Sequence, residues 1–379
     1  MITTLSQESL QAKIAAEIAA HGSMSFARFM QLALYAPSDG YYRNGLQKFG
    51  CDGDFVTAPE LSSLFSHCLA NQCREILTQC DGGDILEFGA GSGVMAADIL
   101  LALKNKNQLP HHYFILELSA SLKALQKETI KRKIPDCLHR VIWLNALPEK
   151  NFKGVVLANE VLDAMPVTRF RYHSGGVQES SIIIKDGQLA ECFVESKNIE
   201  LNTHILKIKN EGIHFENNYT SEVNGQIDGW IKSIGDFLEK GVVLLIDYGF
   251  TRREYYNPDR SMGTLMCHHQ HRAHHNPFIH IGLQDITAHV DFTSVAEAAI
   301  AHNFEIEGFV TQAAFLLNCD LLSFLDQNVD EKTRVAQNQQ VMQLTSPNEM
   351  GELFKVIGLS KGRDFSLMGF SSMNYIEKL

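Results

Sequence analysis

The stretch Ile85-Leu86-Glu87-Phe88-Gly89-Ala90-Gly91-Ser92-Gly93 decides how this chain is read. A short apolar run enters three alternating glycines, and helical periodicity takes over from residue 94 to residue 104. Glycine is required where a chain turns sharply and lets a ligand lie against bare backbone. A dinucleotide loop would carry a further Gly or Ala where Val94 stands. An acid at Glu87, just upstream, would also repel a pyrophosphate and attract a positively charged ligand.

Outward from this loop, short apolar runs at 85–88, 113–118, 141–144, 155–158 and 241–247 alternate with helical segments at 94–104 and 121–131. That alternation predicts βαβ units around a parallel sheet buried on both faces. Ahead of it, Ser6 is expected to cap a helix with Leu10, Ile14 and Ile18 on one face and Gly22 as its stop, and Ser25 opens a second helix. Residues 37–59, rich in Gly, Asp and aromatics, read as a long loop of the lid or binding kind. Residues 61–76 give a further apolar helical face. Between about 171 and 225 the text turns polar and β-rich, with an Asp186-Gly187 hairpin signal. Toward the C-terminus a helix is expected at 293–302, a strand at 304–310, and mostly helix before an apolar stretch at 366–370.

The expected fold is therefore α/β and Rossmann-like, with an N-terminal helical extension and an inserted β-rich segment. The units are 1–80 (helices and lid loop), 81–170 with 226–379 (the core), and 171–225 (the insertion). A chain of 379 residues that is 45% hydrophobic has ample material for a large core. The formal charge of −11 argues against nucleic acid or anionic lipid as a main partner. The eight cysteines form no C-x-x-C pair. The first 22 residues contain no secretory or transit pattern, and the longest apolar run, 242–246, is too short to cross a bilayer, so a cytoplasmic location is expected.

Three constellations carry chemistry. Gly89, Gly91 and Gly93 below Glu87 fit the loop that receives the amino-acid end of S-adenosylmethionine, whose ammonium and sulfonium are both cationic. Glu117, ending the next expected strand beside Leu118, is placed to accept from two ribose hydroxyls. Asn145 and Ala146 follow the third strand, where the base would lie, and Asn159 ends the fourth. Directly after it come Glu160 and Asp163, which share a face if the chain turns helically there, and which would clamp a guanidinium. Thr57 and Pro59 belong to a loop, 53–60, that would close over the cofactor. Asp247, Tyr248 and His289 are candidates for lining the substrate side. The histidines crowded between 268 and 289 lack a metal-binding spacing, and no metal is expected.

With these residues in view, the chain resembles the MidA-like methyltransferases, the family of a mitochondrial protein arginine methyltransferase that assists complex I assembly and of its bacterial relatives. The likeness rests on Phe29-Met30 with Leu32-Ala33-Leu34-Tyr35, on Gly40-Tyr41-Tyr42, on Gly53 to Glu60, on the glycine loop, on Asn159 to Ala164, and on Gln284 to Phe292. It implies a class I methyltransferase fold, S-adenosylmethionine as donor, and a protein arginine as acceptor. Gly89, Gly91, Gly93 and Glu117 would hold the cofactor, and Glu160 and Asp163 would face the acceptor. His268 and His269 stand where relatives often carry aromatics. A small-molecule O- or N-methyltransferase and a noncatalytic assembly factor on the same fold are the competing readings, and a homodimer is left open.

Overall fold

The computed structural model describes residues 2–45, 57–326 and 328–379, with side chains from Leu10 onward. In chain order its strands are β1 (Met24–Ser25), β2 (Asp84–Phe88), β3 (Tyr113–Leu116), β4 (Val141–Leu144), β5 (Phe152–Asn159), β6 (Thr168–His173), β7 (Gly176–Lys185) and β8 (Gln188–Glu195). They continue with β9 (Tyr219–Val223), β10 (Leu238–Phe250), β11 (Met266–His269), β12 (Arg272–His274), β13 (Asp285–Thr287), β14 (Val290–Asp291), β15 (Glu305–Thr311) and β16 (Phe354–Lys361).

The central sheet has the order β15-β16-β10-β5-β2-β3-β4, with β14 added beside β10. From β4 to β10 all neighbours are parallel, whereas β16 runs antiparallel to both β10 and β15. Counted along the chain, the seven main strands lie in the order 3-2-1-4-5-7-6, a doubly wound sheet with an antiparallel strand slipped in near one edge. Residues 354–361, expected to be helical, form that strand. Phe354, Val356, Ile357 and Leu359 are buried there, because pairing on both sides outweighs the weak local pattern of an eight-residue run.

Side chains alternate across this sheet with period two. Ile85, Val155, Leu157, Val242 and Leu244 pack under helices at Ser63–Gln79, Val94–Asn105 and Gln312–Asn318. Leu86, Val156, Ala158, Val243 and Leu245 point the other way, to helices at Ile227–Phe237 and Phe292–Ala301. Two covered faces account for the near-continuous apolar text of β5 and β10.

The first helix runs Ile2–His21, so it begins ahead of Ser6, which is an interior residue and not its cap. Gly22 at φ +83° ends it, and Ser25 caps the helix Phe26–Tyr35 by accepting from Arg28 N–H. β1, β6, β7, β8 and β9 form a second, antiparallel sheet. In the β7–β8 hairpin, Lys185 pairs with Gln188 across Asp186 (φ +52°) and Gly187 (φ +77°), as that dipeptide requires. A helix at Ile199–Asn210, which the β-rich text did not announce, packs Leu201, Ile205 and Ile208 beside Phe170 and Tyr219. β11, β12 and β13 make a small third sheet from the histidine-rich segment. Among the described residues no helix is long and apolar enough to cross a membrane, and no group of three His, Cys, Asp or Glu could hold a metal ion.

Candidate active site

Sheet order reverses between β2 and β5, since the chain leaves β2 toward β3 on one side and later returns to β5 on the other. Doubly wound sheets open a crevice at this point, beyond the carboxyl ends of the strands. Here the crevice is a cavity of about 890 Å³. β2 delivers Gly89, β3 delivers Glu117, β5 delivers Asn159 and Glu160, and β10 delivers Tyr248.

One half of the cavity is built around the glycine turn. Gly89, Gly91 and Gly93 have φ of +62°, +52° and +83°, in the left-handed region that a side chain would strain. Gly89 and Gly91 line the cavity together with Thr57 and Pro59, whereas the Gly53–Val56 part of the expected lid lies outside the described residues. Gly93 does not line it. Its missing side chain serves packing, because a Cβ there would stand 2.8 Å from the Cα of Gln126.

Glu87 is buried in the cavity floor and accepts from the Tyr113 hydroxyl at 2.7 Å. Burial pushes its pKa up to about 7, so a neighbouring ammonium would complete its ionisation. Glu117 accepts from Ser119 N–H at 2.8 Å and from the Gln126 amide at 3.0 Å, and burial raises its pKa as well. A carboxylate so held keeps lone pairs for a diol. Leu118, Leu122 and Leu147 supply apolar wall beside it.

Asn145 and Ala146 are not part of this wall. β4 ends at Leu144, both residues are exposed, and the side-chain Oδ1 of Asn145 accepts from the Lys123 ammonium at 2.8 Å instead. Asn159 lines the cavity, and its Oδ1 is buried without a hydrogen-bond partner. Bare backbone, an acid for a cation, an acid for a diol and an unpartnered acceptor together fit S-adenosylmethionine.

The other half gathers acids. Glu160 and Asp163 both line it, but not on a helical turn: Glu160 takes φ +51°, and the chain turns irregularly through 161–165. Burial, reinforced by Asp163, pushes Glu160 up to about 8. Burial likewise raises Asp163 to about 6, opposed by the hydroxyl of Tyr248, which donates to its Oδ2. The other oxygen of Asp163 is buried without a partner.

Asp285 faces the same space and accepts from the Tyr42 hydroxyl at 3.0 Å on both oxygens. Tyr42 stacks on Tyr35, whose hydroxyl donates to the Ala164 carbonyl at 2.9 Å. His289 lines this half too, stacked on Phe250, and burial lowers its pKa to about 4, which keeps it neutral. Asp247, expected to line the substrate side, lies beneath the cavity, fully buried and bonded to backbone. Strand alternation turns it away while Tyr248 faces in.

Asp285, Tyr35 and Tyr42 were not read as site residues, because they sit on elements far along the chain from the glycine turn. The signal was present in the strings Gln284 to Phe292 and Gly40-Tyr41-Tyr42. Gln126 was missed as well, since a mid-helix glutamine carries no local mark.

Residues 68–310 match the family described as "Putative S-adenosyl-L-methionine-dependent methyltransferase". A Burkholderia thailandensis chain described as a "likely methyl transferase", bound to S-adenosyl-homocysteine, is 40% identical, with a TM-score of 0.94 over 100% of this chain and 98% of that one. The mitochondrial protein arginine methyltransferase NDUFAF7 of Homo sapiens is 27% identical, covering 90% of this chain and 81% of its own length. Its Drosophila melanogaster homolog is 25% identical over 93% and 85%. The doubly wound core, the left-handed glycine turn and these matches agree on one cofactor, S-adenosylmethionine. The chain belongs to the S-adenosylmethionine-dependent methyltransferase family and is an enzyme of that class.

Proposed function

We propose that the methyl acceptor is an arginine side chain of a protein. The observation that carries this reading is the charge of the cavity: Glu60, Glu87, Glu117, Glu160, Asp163 and Asp285 line it, and no lysine or arginine does among the described residues. Such a space takes cationic ligands. Glu87 and Glu117 belong to the cofactor half, which leaves Glu160, Asp163 and Asp285 for a cationic acceptor. The names of the NDUFAF7 relatives point the same way.

Bound S-adenosylmethionine supplies an electrophilic methyl group on a sulfonium. A guanidinium, with a pKa above about 12, is a poor nucleophile until its charge is drawn away from the attacking nitrogen. Glu160 and Asp163 do this by accepting its other N–H groups in charge-assisted bonds. As the nitrogen–carbon bond forms and the sulfur–carbon bond breaks, one proton must leave the nitrogen. Glu160, raised to about 8, is suited to receive it. Tyr248 keeps Asp163 oriented through its hydroxyl.

The test is incubation with labelled S-adenosylmethionine and a native lysate, followed by mass spectrometry of the labelled species. Methylarginine in a protein supports the reading, and label confined to small molecules overturns it. Glu160→Gln and Asp163→Asn should bind cofactor normally and lose methylation, and full rates in both would remove the guanidinium clamp.

A further inference from the structure

Asp247 is out of a ligand's reach, yet its carboxylate is fully engaged. Its Oδ2 accepts from the backbone N–H groups of Val161, Leu162 and Asp163 at 3.2, 3.0 and 3.2 Å, and its Oδ1 from Tyr248 N–H at 2.9 Å. Successive N–H groups converging on one oxygen make an anion nest. Here the anion is a side chain of the adjacent strand β10.

The turn it holds is otherwise weakly determined. Glu160 opens it at φ +51°, a conformation that costs a residue with a Cβ roughly 1–2 kcal/mol and persists when its surroundings impose it. One ladder-like bond, Glu160 N–H to the Ile246 carbonyl at 2.9 Å, precedes the three that Asp247 accepts.

We infer that Asp247 is the positioning residue of the acceptor turn, fixing the backbone that presents Glu160 and Asp163 to the substrate. This rests on the reading of those two acids as acceptor-binding groups. The geometry also gives Asp247 an electrostatic part. Burial and the charges of Asp163 and Glu160 push its pKa up, while four N–H donors favour its ionised form. A negative Asp247 in turn opposes ionisation of Glu160 and Asp163. The other groups facing this half are Tyr248 on β10, Asp285 on β13, His268 on β11, His289, Tyr42 and Tyr35.

Replacing Asp247 with Asn sets an amide N–H₂ against N–H donors on one side or the other and removes the charge. In Asp247→Asn, kcat should fall about 10²-fold, the scale of a small misplacement of reacting groups. S-adenosylhomocysteine should still stabilise the protein against heat as in the parent. The acid limb of kcat/KM for an arginine peptide should move down by about half a pH unit or more, a shift that a purely structural role would not produce. Asp247→Glu keeps the charge and displaces the oxygens, so kcat should stay low with the acid limb in its parent position.

An unchanged kcat, or an unmoved limb in Asp247→Asn, overturns the inference. If neither variant folds, amide hydrogen exchange in the parent enzyme decides: slow exchange at 161–163 supports it, and fast exchange overturns it. Loss of methylation in Glu160→Gln and Asp163→Asn with a normal Asp247→Asn would sink this inference alone. Normal rates in the first two variants would sink the acceptor reading beneath it.

Discussion

Gln126 and Glu117 are joined by a 3.0 Å hydrogen bond inside the protein, and the same Gln126 amide donates to the Gly91 carbonyl at 3.1 Å while its own carbonyl accepts from Trp143 at 2.9 Å. Both donors of this buried amide are thus spent on tying Glu117, the acid proposed to hold the ribose, to the glycine turn. Gln126→Leu should weaken S-adenosylhomocysteine about tenfold by calorimetry, on the scale of a lost bond to a charged group. The acceptor KM should stay within about twofold, and a change confined to the acceptor would contradict this account.

Glu117→Ala removes the carboxylate proposed to accept from the ribose diol. In the parent enzyme, S-adenosylhomocysteine at about a hundred times Kd should add about 2.7 kcal/mol of stability. The variant should lose most of that thermal shift at the same ligand concentration, and a full shift would show that ribose is held elsewhere.

On the proposed reading, Glu160, raised to about 8, must ionise to receive the cationic acceptor. For an arginine peptide, kcat/KM should therefore rise with pH and level off near pH 8, by about tenfold per unit well below that value. Glu160→Gln should flatten this limb along with lowering the rate. A profile flat from pH 6 to 9 in the parent would rule out Glu160 as the titrating group.

The same shift has a stability consequence of opposite sense. Between an unfolded value near 4.5 and the folded value of about 8, the native state holds the proton that the unfolded chain releases, so stability falls as pH rises through that window. Glu160→Gln should be about 1–3 kcal/mol more stable than the parent at pH 8 and equal to it near pH 4, by urea denaturation. Equal stability at both values would refute the burial argument.

Gly93→Ala and Gly89→Ala separate packing from binding. The first puts a Cβ at φ +83° and 2.8 Å from the Gln126 Cα, and should cost about 2–4 kcal/mol of stability. At Gly89 the added carbon meets Val161 at an ordinary 3.5 Å, so the cost there should be about 1–2 kcal/mol of strain. Its larger effect should be on cofactor affinity. Equal destabilisation with unaltered affinity would remove the distinction.

By itself the sequence determined what depends on neighbours along the chain. Apolar runs of β length between helical stretches, a turn whose three glycines all take left-handed φ, and an Asp-Gly hairpin are imposed by backbone sterics and side-chain period, and both are local. Hence β2, β3 and β5, the helix after Gly93, and the positions of Glu87, Glu117 and Glu160 could be read directly. The tertiary structure decided which side chains meet. It turned Gly93 to helix packing, carried Asn145 to the surface, sank Asp247 under the cavity, brought Asp285 and Tyr42 to face Asp163, and made a strand of 354–361. Those outcomes follow from pairing and burial between segments remote in sequence, where a side chain's direction is set by what packs against it and not by the residues beside it.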